Sequence, residues 1–195
     1  MHLRQSGDTS LIALGGGVRY CEAVTEARRE IRNPMTGERI VITASGLETS
    51  GCLLAFDVFL PPGAHVPAGH VHPNQEERFT VIRGSVRFKI DGRTILAGPN
   101  DVVSVERGTP HWFGNAGAAE AHIAVEVRPA LRMQELLERT AMLSQTGGLP
   151  NLPDLAAMLL DFHRELCIPR VPRSLRSLVN AMLRPLALLS RGRAT

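Results

Sequence analysis

The stretch "GHVHPNQEERFTVIRG", Gly69 to Gly84, gathers groups that can hold a metal ion or carry a proton. His70 and His72 are one residue apart, and two carboxylates, Glu76 and Glu77, follow within five residues. In an extended strand residues i and i+2 point to one face, so the two imidazoles project together, close enough to meet one cation. Pro73 then turns the chain. Glu77 opens the next strand in phase with Phe79 and Val81, whereas Glu76 has the opposite phase, so Glu77 is the expected third ligand. Pairing of that strand with the His70–His72 segment would return Glu77 to the imidazole side. The fourth ligand must come from afar, and His111 in "GTPHWFGN" begins a later strand after a turn at Gly108.

Three imidazoles and one carboxylate suit one borderline divalent ion: Fe, Mn, Zn, Ni or Cu. Such a set leaves positions open for water, oxygen or a chelating substrate, whereas a structural zinc is normally closed by four protein ligands. The pattern therefore favours a reactive or binding site over a staple. Phe79, Val81 and Phe88 are expected inside the same barrel, as pocket lining or plain core. Phe113 shares the phase of His111 and is a better pocket candidate than Trp112. In "AHIAVEV" the apolar face is Ile123, Val125 and Val127. Glu126 lies on the polar face, as a solvent or interface group, or else as a base close to the site. Gln75 either contacts a substrate or is a solvated loop residue. No group is assigned as catalytic beyond the metal set. No serine elbow, Walker loop or dinucleotide fingerprint is present.

The elements that must position these residues are strands. "RIVIT", "CLLAFDVFL", "RFTVI", "SVRFKI", "RTILA", "DVVSV" and "HIAVEV" are short runs rich in β-branched and aromatic residues. Turn signals separate them, and Asp91-Gly92 between two such runs marks a tight hairpin because both positions tolerate positive φ. Many short strands without intervening helices predict an antiparallel sandwich or barrel. After Pro129 the period changes. "ALRMQELLERTAMLSQ" reads as a helix ending at Gly147-Gly148. Leu152, Leu155, Leu159, Phe162 and Leu166 share a second helical face. A third stripe, Leu175, Leu178, Val179, Met182, Leu183 and Leu186, ends or kinks at Pro185. Packing against the barrel or a second subunit is the simplest reading of these stripes, and a membrane-surface helix the next.

Composition narrows the rest. Twenty-one of the 22 basic residues are arginine, with Lys89 the single lysine. From His163 onward there are seven arginines and one acid, Glu165. A basic tail can meet a membrane surface, although a solvated helix face explains it more simply, and no nucleic-acid partner is expected. Cys21, Cys52 and Cys167 are too few and too far apart for a disulfide framework, and suit a reducing compartment. No apolar run reaches the ~20 residues that a spanning helix needs. No secretory signal is evident, so a cytoplasmic location is expected. Residues 1–20 read as a flexible segment, and Val18 is a candidate alternative start.

The same residues carry a resemblance to the cupin superfamily. Its first motif, G-x5-H-x-H-x(3,4)-E-x6-G, is met by His70, His72, Glu77 and Gly84, with Gly63 one residue too far upstream. Its second, G-x5-P-x-G-x2-H-x3-N, is met by Gly108, His111 and Asn115. Asn100 replaces the first glycine and Glu106 the proline. Similarity to bacterial single-domain cupins of unassigned reaction implies an all-β jelly-roll barrel (a double-stranded β-helix) with N-terminal strands over residues 21–128. A helical extension spans 129–195. The metal would sit inside the barrel, and the chain is expected to form a homodimer. The resemblance implies a metal-dependent enzyme of oxygenase or isomerase type acting on a small organic molecule. Its alternative is a non-catalytic ligand sensor with a partner- or membrane-contacting tail.

Overall fold

The computed structural model describes residues 29–66, 68–144, 151–169 and 175–191. The expectations for residues 1–20, including Val18, and for the Gly147-Gly148 stop lie outside them. Among the described residues nine strands form two antiparallel sheets. They are β1 Glu30–Asn33, β2 Glu38–Ala44, β3 Leu54–Leu60, β4 Glu76–Arg83, β5 Val86–Ile90, β6 Arg93–Ala97, β7 Val102–Val105, β8 His111–Asn115 and β9 Ala121–Arg128. One sheet has the order β1-β2-β3-β9-β4-β7 and the other β6-β5-β8.

Strict alternation explains the closure into a jelly roll. β3 buries Leu54, Phe56, Val58 and Leu60; β9 buries Ala121, Ile123, Val125 and Val127. Their apolar faces meet Phe79 and Val81 of β4 and Phe88 and Phe113 from the smaller sheet. The rings of Phe79, Phe88 and Phe113 lie 5.1–6.0 Å apart centre to centre, tilted or edge to face as aromatic quadrupoles prefer. The β5–β6 hairpin turns on Asp91 (φ 47°) and Gly92 (φ 80°), the two-residue reversal expected there. Trp112 faces the other way from Phe113. Its Nε1–H donates to the Val66 carbonyl (3.0 Å), and its ring sits beside His65 and Lys89.

Among the described residues three helices follow: α1 Met133–Ser144, α2 Leu152–Asp161 and α3 Arg176–Arg191. Asn151 caps α2 by accepting from the Asp154 N–H (3.0 Å), and Pro153 needs no partner in that first turn. Two expectations are corrected. The α2 stripe is not uniformly packed: Leu152 is exposed, and Met158 and Phe162 reach the barrel core. Pro185 does not end α3, which continues to Arg191. Pro185 and residue 181 both lie on the exposed side, where water can satisfy the carbonyl that the proline leaves unbonded. α3 seats Ala187 and Leu183 on Ala156, Ala157 and Leu160 of α2, while Leu175, Leu178 and Met182 stay exposed. No helix among the described residues is long and apolar enough to cross a membrane.

Candidate metal centre

His70, His72, Glu77 and His111 come together at one end of the barrel, with one candidate ligand atom from each lying within 4.8 Å of the others. The route differs from simple pairing of two adjacent strands. β4 pairs with β9 and β7, not with the His70–His72 segment. Instead, His70 exchanges two backbone hydrogen bonds with His111 (both 2.9 Å), extending the smaller sheet, while Glu77 faces in from the larger one. Pro73 and Asn74 carry the chain across, so the carboxylate meets the imidazoles from the opposite layer. Glu77 is buried and Glu76 exposed, as the strand phase requires.

The cluster is arranged around lone pairs. Nδ1 of His70 lies 3.1 Å from the Ala68 carbonyl, that of His72 2.5 Å from Glu165 O, and that of His111 3.0 Å from Thr109 O. A carbonyl only accepts, so each Nδ1 carries the hydrogen, and each neutral ring keeps Nε2 as its unprotonated nitrogen. Carbonyl partners of this kind orient metal-ligating histidines. Nε2 of His72 lies 3.5 Å from Glu77 Oε1, and Nε2 of His111 2.8 Å from Glu77 Oε2. The last two atoms are buried without a well-aligned hydrogen bond. A divalent cation would satisfy both, so the residues present fit a metal.

Electrostatics agree. Loss of water, helped by repulsion from His72 and His111, pushes His70 down to about 3. Burial likewise lowers His72, with Glu77 opposing. Burial lowers His111 too, but contact with and attraction to the Glu77 carboxylate outweigh it and raise the group. Burial alone would raise Glu77. The facing His72, then the His111 contact and attraction from His111 and His70, bring it down to about 2. The cluster thus holds an ionised carboxylate beside two imidazoles, His70 and His72, that resist protonation, the state that metal ligation needs, while His111 leans on the carboxylate.

The remaining candidates are spread around this centre. Phe79 is fully buried, with its ring 6.4 Å from that of His111. Val81, Phe88 and Phe113 are packed beyond it in the core. Gln75 is neither solvated nor open: it is buried, and its amide donates to the Pro129 and Ala130 carbonyls (both 3.0 Å). Glu126 lies opposite Arg78 on β4, one position out of phase with Glu77 and its neighbour Val127. Its carboxylate therefore faces away from the cluster, where it pairs with Arg128 (2.9 Å). The reading of Glu126 as a base close to the site is corrected accordingly. Sequence reasoning missed Glu165, whose carbonyl orients His72. Its one visible signal was being the lone acid of a basic tail.

The two motifs also show what their glycines and asparagines do. Asn100, in the place of a glycine, has φ 71°, the left-handed turn that asparagine tolerates. Asn115 donates to the carbonyls of Leu60, Pro61 and Ala119 and accepts from the Gly117 N–H, locking the turn after β8.

Comparison with known proteins places the fold. Residues 56–127, less than half of the chain, match the family model described as Cupin domain, and that stretch is a cupin domain. The acireductone dioxygenase of Gluconacetobacter diazotrophicus is 42% identical over 62 residues, covering 30% of this chain and 34% of that enzyme. The match therefore spans about a third of the length of that curated relative. Among solved structures, a predicted oxalate decarboxylase from Thermotoga maritima is 21% identical, with a TM-score of 0.45 over 52% of this chain and 91% of that one. KdgF from Halomonas sp. is 19% identical, with a TM-score of 0.46 over 52% and 86% of the two chains.

Proposed function

We propose that this cupin binds one divalent metal ion through His70, His72, Glu77 and His111 and acts on a small organic substrate, with dioxygenase-type chemistry the leading reaction and isomerase-type chemistry next. The observation that carries the reading is the set of three imidazoles whose Nδ1 atoms all face backbone carbonyls, converging with one ionised carboxylate. The partial likeness to an acireductone dioxygenase supports the oxygenase branch. When bound, the metal would supply Lewis acidity and, if it is iron, nickel, manganese or copper, a place for oxygen or substrate oxygens to bind.

The chain's own residues do the rest. Glu77 supplies the negative charge that offsets part of a cation's charge. The neutral rings of His70 and His72 donate lone pairs without first losing a proton. Phe79 excludes water on the barrel side, with Val81, Phe88 and Phe113 behind it. His70 is the least buried of the four, so a substrate enters over it. A molecule with two adjacent oxygens, such as a hydroxy-ketone, enediol or oxo-acid, fits such an approach.

Elemental analysis of protein purified without chelators or nickel resin tests the reading. About one equivalent of metal is expected, followed by oxygen uptake with one member of a chelating-substrate panel. Failure to bind Fe, Mn, Co, Ni, Cu or Zn on reconstitution would refute it.

A second reading, a non-catalytic ligand sensor, is favoured by where the other polar candidates point. Gln75 is tied to Pro129 and Ala130, and Glu126 faces outward onto Arg128. Tight binding of a panel member without turnover would select it. For the assembly, we propose a homodimer in the cytoplasm, tested by light scattering and cell fractionation.

A further inference from the structure

We propose that the turn Phe162–Cys167 in the C-terminal extension is a clamp that holds His72 in its ligating orientation, so that metal loading of the barrel depends on docking of the tail. The inference rests on the metal reading above.

The three histidines are not held alike. His70 and His111 direct Nδ1–H to carbonyls two residues away, within their own loops. His72 directs it to Glu165, 93 residues away. Two ligands are thus set locally and one by long-range packing. The backbone around His72 has the same dependence. In an extended segment successive N–H groups point to opposite sides. His70 bonds to His111 on one side, and Val71 on the other exchanges bonds with Cys167 (3.2 and 2.9 Å). Val71 is buried, so without the tail its backbone groups would lose partners that burial makes costly to lose. Asn74 adds a bond from its side-chain amide to the Arg164 carbonyl (2.8 Å).

The clamp is itself anchored. The Glu165 and Leu166 N–H groups close the turn on Phe162 O (3.0 and 2.8 Å). Phe162 is buried beneath the Arg132 guanidinium, 4.7 Å from its ring centre. The buried Glu165 carboxylate accepts the Arg132 backbone N–H (3.2 Å), tying the turn to the chain just before α1. Glu165 is therefore a positioning residue: its carboxylate fixes the turn whose carbonyl fixes His72.

The test compares Glu165→Ala, Glu165→Gln and Asn74→Ala with the wild-type full chain. Co(II) titration is followed by its visible absorption, and histidine tautomers by nitrogen NMR. Glu165→Ala should weaken Co(II) binding by about ten- to a hundredfold, in line with the loss of other outer groups around metal ligands. Glu165→Gln keeps an acceptor for Arg132 and should restore most of it. Asn74→Ala, a change at an exposed side chain, should weaken binding a fewfold. In the metal-free variants the His72 Nδ1–H signal should shift while those of His70 and His111 stay in place. General loosening would move all three and would overturn the clamp, as would wild-type affinity in both Glu165→Ala and Asn74→Ala. Should Glu165→Ala fail to fold, Asn74→Ala and the His72 signal decide. Absence of Co(II) binding by the wild type would instead refute the metal reading.

Discussion

Two carboxylates are buried on the inner face of the same six-stranded sheet, and the protein treats them in opposite ways. Glu77 on β4 is brought down to about 2 by the imidazoles around it. Glu38 on β2 is pushed up to about 7 by burial. Dehydration acts on both; what differs is the company each keeps. Charge is kept at Glu77 because three histidines can share it, and is given up at Glu38, where no opposite charge among the described residues offsets burial. One barrel wall therefore holds a site prepared for a cation and a second acid that folding merely tolerates.

The largest expected effect that tests this contrast is at Glu77. Glu77→Ala should lower metal affinity by at least about a hundredfold, roughly 2.7 kcal/mol, with strand content unchanged by circular dichroism. Equal affinity in the variant would remove the distinction between the two acids. Linkage gives the next effect. A metal held at a hundred times its wild-type Kd should stabilise the wild type by about 2.7 kcal/mol and Glu77→Ala by no more than about 0.4 kcal/mol, read as a shift in Tm. Glu38→Gln should keep that metal-dependent shift in full.

Glu38 itself makes a pH prediction. Its folded value lies above the ordinary 4.5, so between those values the folded chain holds a proton that the unfolded chain has released. Stability is therefore full below 4.5, falls as pH rises towards 7, and stays lost above it. Glu38→Gln carries no charge to bury and should be more stable than the wild type at pH 8 by roughly 1–3 kcal/mol, with the gap closing by pH 4. In metal-free protein Glu77 acts in the reverse sense: its contribution is present above 4.5 and is lost as pH falls through about 2. Chemical denaturation across pH separates the two. The smallest effect is expected at Glu126. Glu126→Ala breaks a half-exposed pair with Arg128 and should cost under about 1 kcal/mol, with no change in metal affinity.

What could be read from the sequence was local. The shared phase of His70 and His72, the choice of Glu77 over Glu76 and the Asp91-Gly92 hairpin follow from a two-residue period and turn chemistry, which a few neighbours decide. N-terminal strands were expected, but the short β1 was not located, because "EIRN" has little to mark it as a strand. Which strands pair was also hidden: the His70 segment joined β8 rather than β4, a choice made by the crossing of two layers. Gln75 looked like a solvated loop residue because its partners, the Pro129 and Ala130 carbonyls, are more than fifty positions away. Glu165 was harder still. Its function resides in a backbone carbonyl, which every residue possesses, and only the return of the tail across the barrel gives that carbonyl a histidine to orient.

Trp112 follows His111 directly, and its indole N–H is held by Val66, on the chain leading into His70. It is the sole tryptophan of the molecule. Tryptophan emission therefore originates beside the candidate ligands. A paramagnetic ion arriving there would dim that light, and withdrawal of the Val66 carbonyl would alter its colour, so a bare fluorimeter and unlabelled protein suffice to watch the barrel mouth in real time.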